Sequence, residues 1–311
     1  MVVPIDTLKS IVLGSVLAIA SSLPAMADTI YVSNEKDNTI SVVDGDTLTV
    51  TETIRVGRRP RGITFNHDMT QLYVCIGDEN RIDVIDLSTN KVVSRLPSGP
   101  DPELFVHHPT ENVLYVANED DNMVSVVDTK ERKILAEIQV GVEPEGMGIS
   151  PDGKLLVNTS ETTNMAHFID TKSHNIVANI LVDSRPRFAQ FSDDGSRLFV
   201  SSEIGGTVSV IDPATQEITK KITFEVPGVL PEAIQPVGVR VTNDGKKVFV
   251  ALGPSNRVAV IDGETDEVKD YLLVGQRVWQ MAFTPDEKYL FTTNGNSNDV
   301  SVIDVAAEEV I

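Results

Sequence analysis

The stretch "SVVDGDT" at residues 41–47 recurs with few changes along almost the whole chain. The aspartate of this motif occurs at seven positions, and successive copies lie 42 residues apart except for one interval of 50. The seven positions are Asp44, Asp86, Asp128, Asp170, Asp212, Asp262 and Asp304. A β-rich repeat of about 40 to 45 residues is typical of a propeller blade. The chain is therefore predicted to be an all-β, seven-bladed propeller.

Each repeat contains four short β-segments separated by turn sequences, which predicts a four-stranded antiparallel blade. The first segment of each repeat is rich in glycine, so we expect it to be the innermost strand, where strands crowd near the axis. The repeated aspartate begins an Asp-x-x-Thr turn or a close variant, and its side chain can accept hydrogen bonds from nearby backbone amides. We interpret these seven carboxylates as hairpin residues rather than as a functional ring.

The chain begins at a second strand, "TIYVSN" at residues 29–34, and ends at Ile311 in what should be a fourth strand. Because the chain begins at a second strand, it contains only six innermost strands. They start near Arg61, Glu103, Glu145, Arg187, Val237 and Trp279. We expect the closing innermost strand of the first blade to be missing at the C-terminus. Either the sequence is truncated or the first blade keeps an exposed edge.

Residues 1–27 have the features of a secretory signal peptide. An apolar run at residues 10–23 follows Lys9, and the small residues of Ala25-Met26-Ala27 suit a cleavage site. We predict a mature propeller over residues 28–311 that is exported to the periplasm as a monomer without a membrane span. The net charge of −20 argues against a nucleic-acid partner, and the single cysteine, Cys75, excludes an internal disulfide.

The repeats resemble the YVTN family of β-propeller proteins. The matching motifs are "YVSN" at residues 31–34, "YVAN" at 115–118, "VSVIDPAT" at 208–215 and "IQVGVEPEG" at 138–146. The exported, seven-unit form is further similar to propeller proteins associated with alcohol catabolism that depends on pyrroloquinoline quinone (PQQ). This resemblance implies an accessory protein of quinoprotein dehydrogenases and their cytochrome c partners, with PQQ as a possible ligand.

Arginine is concentrated in the loops of one face, which we call the top face: the loops that enter the first strands and those between the second and third strands. Arginine suits planar recognition of carboxylates and phosphates, so these loops predict an anion site. The candidate ligand-binding residues at the channel rim are Arg59, Arg61, Glu103, Glu145, Arg185, Arg187, Arg277 and Trp279.

Three interpretations of this rim stay open. The charges can neutralise one another in an ion-pair network across blades. Alternatively, Arg61, Arg187 and Arg277 bind a carboxylated ligand, or Glu103 and Glu145 bind a cation. Trp279 can stack on a flat ligand or fill a gap in the rim. The eight-residue insertion within residues 223–236 is a candidate wall of a binding site.

No Ser/His/Asp spacing, phosphate-binding glycine loop or Cys/His metal pattern is present. We therefore expect a non-catalytic binding protein with no metal site and no covalently bound cofactor. A lactonase-like propeller hydrolase is the alternative, because the few polar residues of such a site would escape a motif search. A nucleic-acid-binding propeller is a third, weaker hypothesis.

Overall fold

The structure, a computed structural model, describes residues 29–311 and confirms the seven-bladed propeller. The predicted signal peptide lies outside the described residues. Within residues 29–311 the only helices are two three-residue 3-10 turns, Gly77–Glu79 and Pro231–Ala233. No helix of this part of the chain has the length and apolar character needed to cross a bilayer.

The strands are consecutive antiparallel meanders, each forming one sheet. Blade 1 contains β1 (Thr29–Asn34), β2 (Thr39–Asp44) and β3 (Thr49–Arg55). Blade 2 contains β4 (Pro60–Phe65), β5 (Gln71–Ile76), β6 (Arg81–Asp86) and β7 (Lys91–Pro97). Blade 3 contains β8 (Pro102–His107), β9 (Val113–Asn118), β10 (Met123–Asp128) and β11 (Lys133–Gln139). Blade 4 contains β12 (Pro144–Ile149), β13 (Leu155–Ser160), β14 (Met165–Asp170) and β15 (Asn175–Leu181).

The remaining blades follow the same order. Blade 5 contains β16 (Pro186–Phe191), β17 (Leu198–Ser202), β18 (Thr207–Asp212) and β19 (Glu217–Thr223). Blade 6 contains β20 (Val239–Val241), β21 (Lys247–Ala251), β22 (Arg257–Asp262) and β23 (Val268–Leu273). Blade 7 contains β24 (Val278–Phe283), β25 (Tyr289–Asn294), β26 (Asp299–Asp304) and β27 (Glu309–Val310). The first strands β4, β8, β12, β16, β20 and β24, here called the inner strands, pack against one another in order around the axis.

Burial along the strands follows their distance from the axis. The second strand β13 is buried at five of its six residues, because both of its faces meet neighbouring blades. The outermost strand β15 instead alternates exposed and half-buried residues, since one of its faces meets solvent. Apolar residues of adjacent blades interdigitate, as Phe199 and Val210 of blade 5 do with Val248 and Val250 of blade 6. Interblade packing, rather than hydrogen bonding between sheets, therefore forms the core.

The repeated aspartates hold hairpin turns, as the sequence predicts. The Oδ1 atom of Asp86 accepts hydrogen bonds from the backbone amides of Ser88 and Thr89, both at 3.0 Å. Asp128 accepts the equivalent bonds from Lys130 at 2.9 Å and Glu131 at 2.7 Å. These bonds satisfy turn amides that no strand neighbour can reach. The most regular feature of the sequence thus has a structural role.

Blade 1 has three strands, and no strand of the described residues pairs with the inner edge of β1. The expectation that the first blade lacks its innermost strand is confirmed for residues 29–311. A small apolar crevice of about 60 Å³ separates blade 1 from blade 7. It is lined by Ile30, Val32, Val43, Leu48, Phe291, Val300 and Val302. The first and last blades therefore share no sheet, and apolar side chains of both line the crevice between them.

The eight-residue insertion packs onto the body of the propeller. Val226 and Ile234 are buried in the apolar cluster between blades 5 and 6, with Phe224 and Val229 half-buried against it. The backbone amide of Glu225 also donates a 2.9 Å hydrogen bond to the hydroxyl oxygen of Tyr271. The insertion is thus fixed on the top face, beside the entrance to the inner strand of blade 6.

Candidate functional site

A repeated turn brings each rim residue to the channel mouth. In five blades, a residue other than glycine adopts a left-handed conformation two positions before the rim residue. These residues are Arg59, Asp101, Glu143, Arg185 and Arg277, with φ angles between 49° and 60°. Such backbone is unfavourable for these residue types, so a compensating contact is expected.

An asparagine of the preceding blade supplies that contact. The side-chain oxygen of Asn38 accepts a 2.9 Å hydrogen bond from the backbone amide of Arg59. The same bond recurs at the turns of blades 3, 4, 5 and 7, from Asn80, Asn122, Asn164 and Asn256, at distances of 2.8 to 3.1 Å. Each asparagine lies 21 residues before its partner and itself has positive φ. The rim of each of these blades is therefore positioned by its neighbour.

A second set of residues reaches the mouth from the end of each second strand. In blades 3, 4 and 5, the backbone amides of Glu119, Glu161 and Glu203 donate to the carbonyls of the left-handed residues at 2.8 to 2.9 Å. Glu35 occupies the equivalent position in blade 1. The sequence analysis missed these four glutamates. The available signal was the residue after the second strand, which is glutamate in four of the seven repeats.

On one side of the mouth, the charges meet at Glu103, whose side chain is fully buried. Arg59 donates to Glu103 at 2.7 Å and to Asp101 at 2.5 Å. Arg61 donates to Glu103 as well, and its Nη1 lies 3.0 Å from Glu35. Two guanidinium groups therefore enclose one carboxyl group of the inner strand of blade 3.

On the other side, the charges meet at Arg187, whose side chain is 11% exposed. Its guanidinium contacts Glu161, lies 3.4 Å from Glu145 and lies 3.6 Å from Glu203. A 3.8 Å contact between Arg61 and Glu145 links the two sides. Arg187 is thus the cation that three buried carboxylates share.

Arg185 and Arg277 complete this side. Arg185 lies 2.6 Å from Glu161 and 3.3 Å from Glu203, and Arg277 lies 3.4 Å from Glu203. Trp279 lies against two of the five rim arginines: its ring centroid is 4.5 Å from the guanidinium carbon of Arg277 and 5.5 Å from that of Arg187. Cation–π contacts at these distances are favourable. The indole is therefore engaged by the protein itself.

We call this assembly the mouth network. It contains all eight residues that the sequence analysis named at the rim, together with acidic residues that it did not. Its arginines are Arg59, Arg61, Arg185, Arg187 and Arg277. Its acidic residues are Glu35, Asp101, Glu103, Glu119, Glu145, Glu161 and Glu203. Seven carboxyl groups thus face five guanidinium groups, so the mouth is not a surface of free positive charge.

Burial, together with neighbouring acidic groups, raises the pKa values of three carboxyl groups of the network. Burial, and then the neighbouring Glu145, raise the pKa of Glu103 well above its ordinary value. Burial is also the main cause that raises the pKa values of Glu119 and Glu161. The network therefore favours uptake of protons at Glu103, Glu119 and Glu161.

Binding of a cation was one interpretation of the rim, and one cluster of three acidic residues has a spacing that would suit a metal ion. Asp101, Glu103 and Glu119 each place one carboxylate oxygen within 4.8 Å of the others. Arg59 contacts all three, at 2.5, 2.7 and 3.9 Å. Its guanidinium supplies the positive charge that a metal ion would provide.

Blade 4 contains a Ser-His-Asn arrangement that the sequence analysis did not find. The Nε2 atom of His167 lies 3.1 Å from the Oγ of Ser160, and its Nδ1 lies 2.6 Å from the Oδ1 of Asn179. The Nε2 atom also accepts a 3.0 Å hydrogen bond from the backbone amide of Gly141. Burial lowers the pKa of His167, consistent with a neutral acceptor.

Equivalent positions in other blades show that this arrangement has a structural role. It joins the third strand of a blade to the loop that enters the same blade. In blade 2, Asp83 accepts from the amide of Gly57 at 2.9 Å, as His167 does from its glycine. In blade 7, the Oγ of Ser301 accepts from the amide of Gly275 at 3.2 Å. Ser160 is completely buried, so a substrate could not reach its hydroxyl. Ser160 therefore cannot act as a nucleophile, although its contact with His167 resembles a catalytic arrangement.

Beside the mouth network, an open depression of about 410 Å³ lies between the top loops of blades 4 and 5. It is lined by Glu143, Glu161, Thr162, Asn164, Ser184, Arg185 and Ile204. The side chain of Ile204 is 60% exposed there. This depression therefore places an exposed apolar side chain beside the charges of the mouth network.

Comparisons with known proteins agree with this architecture. Residues 177–310, less than half of the chain, match the family model described as "Lactonase, 7-bladed beta-propeller". No curated protein sequence matches the chain. Among solved structures, a chain of Kuenenia stuttgartiensis hydrazine synthase aligns with a TM-score of 0.82 and 22% identity, over 89% of this chain and 92% of that chain. At this identity the similarity establishes the fold alone.

Proposed function

We propose that the protein is an exported, non-catalytic propeller that binds a protein partner through its top face. The observation that carries this proposal is the mouth network itself. Its arginines and glutamates are paired with one another, and no hydrogen bond within residues 29–311 joins a serine, cysteine or histidine side chain to any of its members. A rigid pattern of charge suits recognition of a surface better than it suits bond-breaking chemistry.

The charge of that pattern indicates the kind of partner. Carboxyl groups outnumber arginines at the mouth, and the whole chain carries a net charge of −20. A basic protein surface would therefore be attracted at long range. The resemblance to propellers of PQQ-linked alcohol oxidation gives a specific candidate, a basic c-type cytochrome that serves a quinoprotein dehydrogenase. A dehydrogenase subunit is the other candidate of this class.

A binding titration tests the proposal. We expect a basic c-type cytochrome to bind, more tightly at about 20 mM than at about 200 mM salt, because salt screens exposed charges. Glu35→Gln and Glu119→Gln at the mouth should weaken binding, whereas Glu131→Gln in a turn on the opposite face should not. Binding that is insensitive to salt, or equally affected by all three variants, would argue against docking at the mouth.

PQQ is a further candidate ligand of this face. Binding by Arg61, Arg187 and Arg277 would have to replace glutamate contacts that these arginines already make, so we expect weak affinity at the mouth. The fluorescence of Trp279, the only tryptophan, reports such an event directly. A saturable change that Arg61→Gln and Arg187→Gln abolish would favour a PQQ site there.

One observation favours a second candidate function, hydrolysis of a lactone. The match of residues 177–310 to a lactonase family model suggests this reaction class for the C-terminal blades. Assay of a panel of lactones with purified protein separates the two proposals. Turnover above the uncatalysed rate would favour the hydrolase, and its absence would leave the binding function as the better account.

A further inference from the structure

The depression between the top loops of blades 4 and 5 contains a carboxylate that has no cationic partner. The rim turns of five blades each have a charged left-handed residue, and four of these residues make ion pairs: Arg59, Asp101, Arg185 and Arg277. Within residues 29–311 the fifth, Glu143, makes no ion pair, and its carboxylate accepts one side-chain hydrogen bond, from the hydroxyl of Thr162. Thr162 lines the same depression. The charge of Glu143 is therefore uncompensated, unlike the other charges of these turns.

The backbone holds Glu143 in place. Its amide donates a 3.1 Å hydrogen bond to the side-chain oxygen of Asn122, and its carbonyl accepts a 2.9 Å bond from the amide of Glu161. The residue is half-buried and has a φ angle of 57°. The turn that presents the carboxylate is thus ordered before any ligand binds, so binding loses little free energy to ordering it.

An exposed aliphatic side chain lines the same depression. Ile204, in the top loop of blade 5, is 60% exposed, although isoleucine is usually buried in folded proteins. The equivalent positions of the repeat hold polar or charged residues or proline: Lys36, Asp78, Asp120, Thr162, Pro254 and Asn296. The repeat therefore does not require an aliphatic residue here. An exposed isoleucine beside an unpaired carboxylate suits a ligand that has both an apolar part and a cationic part.

The other charges of the depression neutralise each other. Its lining contains two carboxylates, Glu143 and Glu161, and one guanidinium, that of Arg185. Because Arg185 lies 2.6 Å from Glu161, its charge is already compensated. The depression therefore carries a net negative charge, which favours a cation over an anion. The hydroxyl oxygens of Thr162 and Ser184 are further hydrogen-bond acceptors in the lining.

We infer that this depression is a binding site for one lysine side chain of the partner protein. The ammonium group binds the carboxylate of Glu143, and the aliphatic stem packs on Ile204. Lysine suits this site because its charge is compact and its four-carbon stem is apolar. A volume of about 410 Å³ accommodates such a side chain. This inference rests on the function proposed for the top face, and it specifies a residue type that the partner must present.

Titration with Nα-acetyl-lysine amide, followed by saturation-transfer NMR of the probe, tests the site without a partner protein. We expect saturable binding with transfer to the methylene protons of the stem, and weaker binding of the norleucine analogue, which lacks the amine. Glu143→Gln should weaken binding of the lysine probe about three- to tenfold, because solvent only partly screens this charge pair. Glu232→Gln is the matched control, because it removes an exposed glutamate of the insertion, which does not line the depression.

Ile204→Ser provides a second test, which does not depend on the folding of the Glu143 variant. It should weaken binding of the lysine probe about fourfold, the effect of one buried methylene group. Leu230→Ser, which removes a 73% exposed leucine of the insertion, should leave this binding unchanged. The inference is overturned if the wild-type protein shows no saturable binding of the lysine probe, or if the norleucine analogue binds as tightly. It is also overturned if the Glu143 and Ile204 variants bind the probe as their controls do.

Titration with a basic c-type cytochrome separates this inference from the proposed function. Glu143→Gln and Ile204→Ser should weaken binding of the cytochrome, whereas Glu232→Gln and Leu230→Ser should weaken it less. Cytochrome binding that depends on Glu35 but on neither Glu143 nor Ile204 would support docking at the mouth and overturn the lysine site. Binding of the lysine probe at the depression, by a protein to which no cytochrome binds, would support the lysine site and contradict the function proposed for the mouth.

Discussion

Replacement of Arg187 by methionine tests whether the mouth network stabilises the propeller. Methionine keeps most of the side-chain volume, so the change removes charge without opening a large cavity. Of the three carboxylates around Arg187, Glu161 and Glu203 retain Arg185 as a partner at 2.6 and 3.3 Å. Glu145, only 8% exposed, retains a single contact, which is the 3.8 Å contact with Arg61.

One buried carboxylate therefore loses most of its compensation in this variant. Leaving such a charge unpaired costs about 3 to 5 kcal/mol, which we expect as the loss in free energy of unfolding at pH 8. For a domain of this size the melting temperature should fall by at least about 6 °C. The loss should be smaller at pH 5, because burial raises the pKa of Glu161, and a protonated Glu161 loses no charge compensation when Arg187 is removed.

Urea unfolding at both pH values measures the effect, with Arg58→Met as the matched control. Arg58 lies in the same kind of top loop and is 66% exposed, with Asp78 at 3.8 Å. An exposed pair of this kind contributes at most about 1 kcal/mol. If the two variants lose similar stability, or if the loss in Arg187→Met does not change with pH, the network does not stabilise the fold in the way described.

Three further predictions follow from buried groups elsewhere in the structure. Because the pKa of Glu103 is raised in the folded state, the folded protein retains a proton that the unfolded chain releases near pH 4.3, so stability should fall as the pH rises above that value. Glu103→Gln should flatten this decline in urea unfolding, and an unchanged slope would contradict the assignment. Gly238→Ala should destabilise the protein by about 1 to 3 kcal/mol, because its Cβ would meet the carbonyl oxygen of Trp279 at 2.7 Å; thermal unfolding indistinguishable from wild type would show that the strand can move aside. Cys75 is fully buried and burial raises its pKa well above the usual value, so a thiol reagent should label it only after denaturation, and rapid labelling of native protein would be inconsistent with this packing.

The fold could be predicted from the sequence because each repeat carries its own turn chemistry. The hairpin role of residues such as Asp86 depends on amides two and three positions away, so it can be inferred locally. The same register identified six inner strands and located the rim residues on one face. The Ser160 and His167 contact was not predicted, because residues seven positions apart on neighbouring strands meet only when the strand register is known.

The composition of the candidate site was predicted only in part. Arginines such as Arg187 were located at the rim, but their partners Glu161 and Glu203 lie in other loops, and pairing across blades depends on how each loop folds towards the axis. The side of each inner strand that faces the channel could not be predicted either. A bulge shifts the register at the start of several inner strands, so the sequence alone does not decide which side of the strand faces the channel.

The asparagine contacts between blades have a consequence for where the repeat tolerates extra residues. Blade 5 carries Gly205 and Gly206 where the neighbouring loops carry a linking asparagine, so its top loop makes no such bond to blade 6. The eight additional residues occur in the next top loop along the chain, the one that this asparagine would otherwise have restrained. The loop that enters blade 6 is thus held by its own buried residues, such as Val226 and Ile234, and not by an asparagine of blade 5. In protein engineering, we expect that replacing the linking asparagine of one blade by glycine makes the top loop of the next blade a suitable place to graft a new binding segment.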